Sequence, residues 1–81
     1  MKLYKFVAEK DETEMLGIVA DSVKEAKKIG WDQGYQYDIQ PDEWTDIRCT
    51  VMKGKDITGL KKGIVDVEEG LHRGIYGYAI G

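Results

Sequence analysis

Polar and apolar side chains alternate along the first stretch of the chain. Leu3, Lys5 and Val7 fall on one side, and Tyr4, Phe6 and Ala8 on the other. A period of two predicts a β-strand. The polar run 9–14 predicts a turn and residues 15–20 a second strand, so the two form a hairpin. That run holds no Gly, Asn or Pro, which predicts a turn longer than two residues.

The pattern then changes. Asp21 or Ser22 suits a helix N-cap, and Glu25 stands three residues after Ser22, as a capping box requires. Val23, Ala26 and Ile29 form a narrow apolar stripe. Lys27 and Lys28 suit the negative end, and Gly30 suits the left-handed position that closes a helix.

Alternation returns over residues 35–40. Tyr35, Tyr37 and Ile39 would share one face of a strand, and Gln36, Asp38 and Gln40 the other. Pro41 ends it and opens a helical turn through Asp42, Glu43 and Trp44. Residues 47–52 predict a further strand, with Ile47, Cys49 and Val51 facing one way. A loop rich in Gly and Lys comes next, over 53–63.

Two readings compete beyond it. One is a helix capped by Asp66, with Glu68 and Glu69 in its first turn, His72 and Arg73 in its last, and Gly74 behind it. Val67 and Leu71 would then pack inward, and Gly70 would cost about 1 kcal/mol relative to alanine. The other is a strand over 64–67. Residues 75–80 alternate as a final strand, with Gly77 where another backbone comes close. These elements define an α+β fold in a single domain over residues 1–81. Its sheet is small, antiparallel or mixed, with about five strands, and it carries two short helices.

Composition narrows the function. A chain of 81 residues has room for one core and buries roughly 60% of its unfolded surface. Cys49 is the only cysteine, which excludes a disulfide framework and points to a reducing, cytoplasmic setting. No apolar run approaches the roughly 20 residues that span a bilayer, so no membrane role is expected. A net charge of −3 argues against nucleic acid as a partner. The basic loop of Lys53, Lys55, Lys61 and Lys62 reads as a solvated surface.

Catalytic chemistry finds few candidates, and the expectation is that the protein is not an enzyme. A nucleophile needs a base beside it and a third group to orient that base. Ser22 reads as a helix cap, Cys49 as a buried apolar residue, and His72 as a charge suited to a helix end. One Cys and one His cannot supply the four ligands of structural zinc. Gly54 and Gly59 have the spacing of a phosphate-binding loop, but Leu60 stands where its lysine must be.

The distinctive chemistry lies between residues 29 and 47. This stretch holds Asp32, Asp38, Asp42, Glu43 and Asp46 and no Lys or Arg. Carboxylates without local counterions repel one another, and a hard cation relieves the repulsion. Ca²⁺ takes six to eight oxygen ligands in flexible geometry, and Gln36 and Gln40 add neutral oxygens. Residues 32–43 have the terminal acids of an EF-hand loop. Gly34 and Gln36, however, stand where Asp or Asn belongs, and Tyr37 occupies the glycine position. Any site here is therefore irregular and weak, with a dissociation constant of roughly 10⁻⁴–10⁻³ M. Two smaller acidic clusters compete, at 9–14 and 66–69. The first includes Lys10, and the second is explained by helix capping.

The middle (WDQGYQYDIQPDEWTD) and the tail (GIVDVEEGLHRGIYGYAIG) resemble small uncharacterised α+β proteins of methanogenic archaea. That resemblance implies calcium binding and identifies no ligands. The leading expectation is a non-enzymatic Ca²⁺-binding protein with Asp32, Asp38, Asp42, Glu43 and Asp46 as metal ligands. The alternative is a protein–protein interaction module with an unknown partner and no metal role. Trp31, Tyr35, Tyr37, Trp44, Tyr76 and Tyr78 supply its aromatic surface, since aromatic side chains are enriched at binding hot spots.

Overall fold

A computed structural model describes residues 1–8 and 11–77, without the side chains of residues 11–13. Strands β1 (Lys2–Ala8), β2 (Asp11–Ala20), β3 (Ile47–Val51) and β4 (Gly63–Ile64) form one sheet in the order β3-β1-β2-β4. Every pairing is antiparallel. Helices α1 (Val23–Gln33) and α2 (Val67–His72) complete an α+β architecture.

Alternation on β1 and β2 divides the core in two. Tyr4, Phe6, Leu16 and Ile18 are buried with Ala26 of α1 and with Ile39 and Ile47. Leu3 and Val19, one residue out of phase, are buried with Val65, Ile75 and Tyr76. The sheet is thus covered by α1 on one face and by the C-terminal segment on the other, as period-two patterning of a two-sided sheet requires. Tyr76 fastens the second layer. Its buried hydroxyl accepts from the Gly17 amide at 3.0 Å and donates to the Val65 carbonyl at 2.8 Å.

The sheet has four strands among the described residues, against an expectation of about five. β2 already pairs at Asp11 with Ala8, so it takes in most of the polar run read as a turn. Its register against β1 shifts between Phe6 and Ala8. Both readings beyond the basic loop hold in part. Gly63 and Ile64 pair with Val19 and Ile18, and a helix begins at Val67 after Asp66. Leu71, expected inside, is exposed. Ile75 and Tyr76 are buried outside any strand, and residues 78–80 of the expected last strand lie outside the described residues. Among the described residues, nothing lies within 4 Å of a Cβ built at Gly77, so none of them supplies the close backbone expected there.

The largest correction concerns α1 and the segment after it. Ser22 caps the helix: its hydroxyl accepts from the Glu25 amide at 3.1 Å. The Glu25 carboxylate reaches back one residue further than in a simple capping box, to the Asp21 amide at 2.8 Å. The helix does not close at Gly30. That glycine is inside it because a Cβ there would overlap the Phe6 ring, so its absence lets α1 lie on the sheet. Lys27 and Lys28 are consequently mid-helix. The chain then continues as a 3₁₀ turn over Gly34–Tyr37, where a strand was expected.

Asp38 ends this turn in the left-handed conformation, with φ of 58°. The Ile39 amide donates to the Gly34 carbonyl at 3.1 Å and the Asp38 amide to that of Tyr35 at 3.2 Å. These are the two bonds of a Schellman motif. The motif turns the chain so that Ile39 enters the core, which a continued strand would not do.

Candidate functional site

The helical course of residues 34–37 rearranges the expected metal site. No strand face aligns Gln36, Asp38 and Gln40. Asp32 lies on α1, where the Lys28 ammonium pairs with its carboxylate at 2.8 Å, one turn back. A counterion was therefore present just outside the acidic stretch, at the i,i+4 spacing that places helical side chains together. Glu43 precedes the 3₁₀ turn Trp44–Asp46, and its carboxylate lies 3.5 Å from the Thr45 hydroxyl.

Asp38, Asp42 and Asp46 face a common cavity without coming together. Together with Gln40 they line one cavity of about 150 Å³. Glu14 of β2 joins them, a residue that sequence reasoning assigned to a competing cluster. The Schellman turn sets Asp38 at the rim, and Pro41 and the 3₁₀ turn bring the chain back past it. Among the described residues, no group of three or more His, Cys, Asp or Glu side chains stands close enough to hold a metal ion. The cavity is an acidic enclosure, not an assembled coordination shell.

A second concavity shares its wall. Gln40, Pro41 and Asp42 also line a groove whose far side is Trp31. Trp31 packs edge-to-face against Trp44, with ring centroids 5.7 Å apart and planes at 68°. Burial does not account for these rings: Trp31 is 40% exposed, Trp44 38%, and Tyr35, one helical turn beyond Trp31, 57%. The Lys27 ammonium sits 5.0 Å from the Trp44 ring centroid. Neither the indole pair nor its cation was legible as a contact, because the expected strand placed the two tryptophans apart.

The remaining reactive groups have structural roles. Burial pushes the Cys49 thiol up to about 11, against a smaller opposing pull from the Lys27 ammonium. A thiol so shifted is not a ready nucleophile at neutral pH. Lys62 of the basic loop pairs with Asp21 at 2.9 Å and Glu25 at 3.2 Å, which ties the loop to the start of α1. The Lys62 ammonium lowers the Asp21 carboxyl, and the Asp21 and Glu25 carboxylates raise Lys62. The Asp56 side chain accepts from the Thr58 amide at 2.9 Å, and its carboxyl is lowered by that residue.

No protein-family model matches the chain, and no curated protein or solved structure matches it either. No described helix is long and apolar enough to cross a membrane.

Proposed function

We propose that the protein is a non-catalytic Ca²⁺-binding protein with a weak, irregular site at the acidic cavity. The observation that supports this reading is that Asp38, Asp42, Asp46, Glu14 and Gln40 line one cavity. Four carboxylates and an amide oxygen are the hard donors that Ca²⁺ takes, and backbone carbonyls and water complete its shell. Asp32 and Glu43 lie outside this cavity and serve as outer charges that attract the ion. Because the side chains are not already gathered, closing them around an ion opposes binding, which keeps the affinity in the roughly 10⁻⁴–10⁻³ M range.

The test is a Ca²⁺ titration followed by amide shifts. Saturable shifts at Glu14, Asp38, Gln40 and Asp46 are expected, with Asp46→Asn weakening them about ten-fold. No saturable change below about 10 mM, or change confined to residues 66–69, would sink the assignment.

A second reading, a protein-interaction module, is favoured by a separate observation. Trp31 and Trp44 pack against each other while partly exposed, and Tyr35 is exposed as well.

A further inference from the structure

Helix α1 shows solvent a stripe whose charge reverses along its length. Lys24, Lys28 and Trp31 are exposed, and their spacing of four and three residues sets them on one helical face. Asp38 is exposed at the far end, where it lines a cavity that shares Gln40, Pro41 and Asp42 with the groove of Trp31. Lys28 is neutralised by Asp32. Among the described residues, neither Lys24 nor Asp38 joins an ion pair. An unpaired ammonium and an unpaired carboxylate therefore lie on either side of a 40% exposed indole, each seven residues from it in the chain.

Such a surface is its own complement. A two-fold axis through Trp31 turns a second copy end for end, so that Lys24 meets Asp38 twice, as an isologous interface repeats every contact. A partner of uniform charge would be attracted at one end and repelled at the other. The middle supplies apolar burial through Trp31 and its edge-to-face partner Trp44. Aromatic side chains near the centre of an interface carry much of its binding energy.

We infer that the protein forms a weak two-fold dimer in which α1 packs antiparallel on α1 of a second copy. Trp31 lies at the axis, and Lys24 of each copy pairs with Asp38 of the other. The inference rests on the interaction-module reading and names its partner.

The test is sedimentation of the full chain from about 10 μM to about 1 mM, a range suited to an interface below about 1,200 Å². EDTA is present, because the calcium reading also uses Asp38, so the outcome stands apart from the Ca²⁺ titration. A monomer–dimer equilibrium that weakens with salt is expected, with concentration-dependent amide shifts at Lys24, Trp31 and Asp38. Trp31→Ala weakens it about ten-fold. Lys24→Glu and Asp38→Lys each weaken it about ten-fold, since each sets like charges opposite one another twice. A mixture of the two variants regains the original association, because their heterodimer restores both pairs. Glu suits the first turn of a helix, so Lys24→Glu keeps its fold. Asp38→Asn, which tolerates the left-handed conformation, weakens association in place of Asp38→Lys should that variant not fold. A dimer indifferent to Trp31→Ala and to the charge reversals overturns the inference. A chain monomeric throughout the range overturns it too, and leaves the interaction-module reading itself standing.

Discussion

The two helical segments end in the same way with different residues. After α1 the chain runs Gly34, Tyr35, Gln36, Tyr37, Asp38, Ile39; through the last turn of α2 and out of it the chain runs Gly70, Leu71, His72, Arg73, Gly74, Ile75. In each, the isoleucine amide donates to the carbonyl of the glycine five residues back, at 3.1 Å and 2.8 Å. In each, the residue before the isoleucine is left-handed, with φ of 58° at Asp38 and 73° at Gly74. Both isoleucines are buried, one in each half of the core. Both opening glycines are also sterically required. A Cβ on Gly34 would overlap the Ile39 carbonyl, and one on Gly70 the Tyr76 ring. The geometry is therefore specified by crowding at its start and an apolar anchor at its end. The residue at the left-handed position adjusts only its cost.

Breaking this parallel should have graded effects. Gly70→Ala is expected to be the most damaging, by about 3 kcal/mol, because the new methyl meets a buried ring that the hydroxyl network holds in place. Gly34→Ala should cost about 2 kcal/mol, since its obstacle is a backbone carbonyl on a more exposed segment. Urea denaturation of both variants checks the order, and a harmless Gly34→Ala would refute the equivalence of the two ends.

The Tyr76 network is the next effect, and it exists only at the second end. Burial pushes the Tyr76 phenol up from 10.0 to about 12, partly opposed by its hydrogen bond from the Gly17 backbone. A raised folded value means that the neutral form is favoured by folding. Its contribution is fully present below pH 10.0 and is lost as pH rises towards about 12. Tyr76→Phe should cost about 2 kcal/mol at neutral pH and flatten this alkaline decline, read from thermal melts between pH 9 and about 12. A decline that persists in the variant would assign the effect to another group.

Exchanging the left-handed residues gives the smallest changes. Gly74→Ala should destabilise by about 1 kcal/mol, because a Cβ there faces the following carbonyl. Asp38→Gly should stabilise by about 0.5 kcal/mol, the relief of strain being offset by the freedom glycine has when unfolded. That variant also removes a carboxylate from the acidic cavity, so higher stability with weaker Ca²⁺ binding is the paired outcome expected under the calcium reading.

The same contrast explains why some elements were legible in the sequence and others were not. Gly74 advertised a helix end, and α2 was readable despite its interior glycine. Asp38 gave no such signal, and the accidental alternation of residues 35–40 imitated a strand. Gly30 misled in the opposite direction. It suggested a helix end, but its lack of a side chain serves contact with Phe6, and only tertiary packing reveals that. The acidic stretch was visible as composition. Its geometry was not, because the strand error misdirected Gln36 and Asp38, and the pairing of Lys28 with Asp32 comes from helix periodicity rather than local charge. Glu14 came from β2, too distant in sequence to be joined to the cluster by pattern.

Strand β1 has a consequence for the order of folding. Phe6 pairs with Leu16 on one side and with Cys49 on the other. The first partner is local, and a hairpin of this kind closes in about 1–10 μs. The second waits until α1 and the whole acidic segment have been gathered, a longer loop whose closure entropy must be met before β3 contributes any contact. The rate of folding should therefore respond to that connection far more than to the hairpin turn. The stretch that carries the acidic cavity and the tryptophan groove is expected to set the slow step of assembly. Under the calcium reading, stopped-flow refolding should show an accelerated main phase when Ca²⁺ is present, because the ion would relieve the self-repulsion of that stretch.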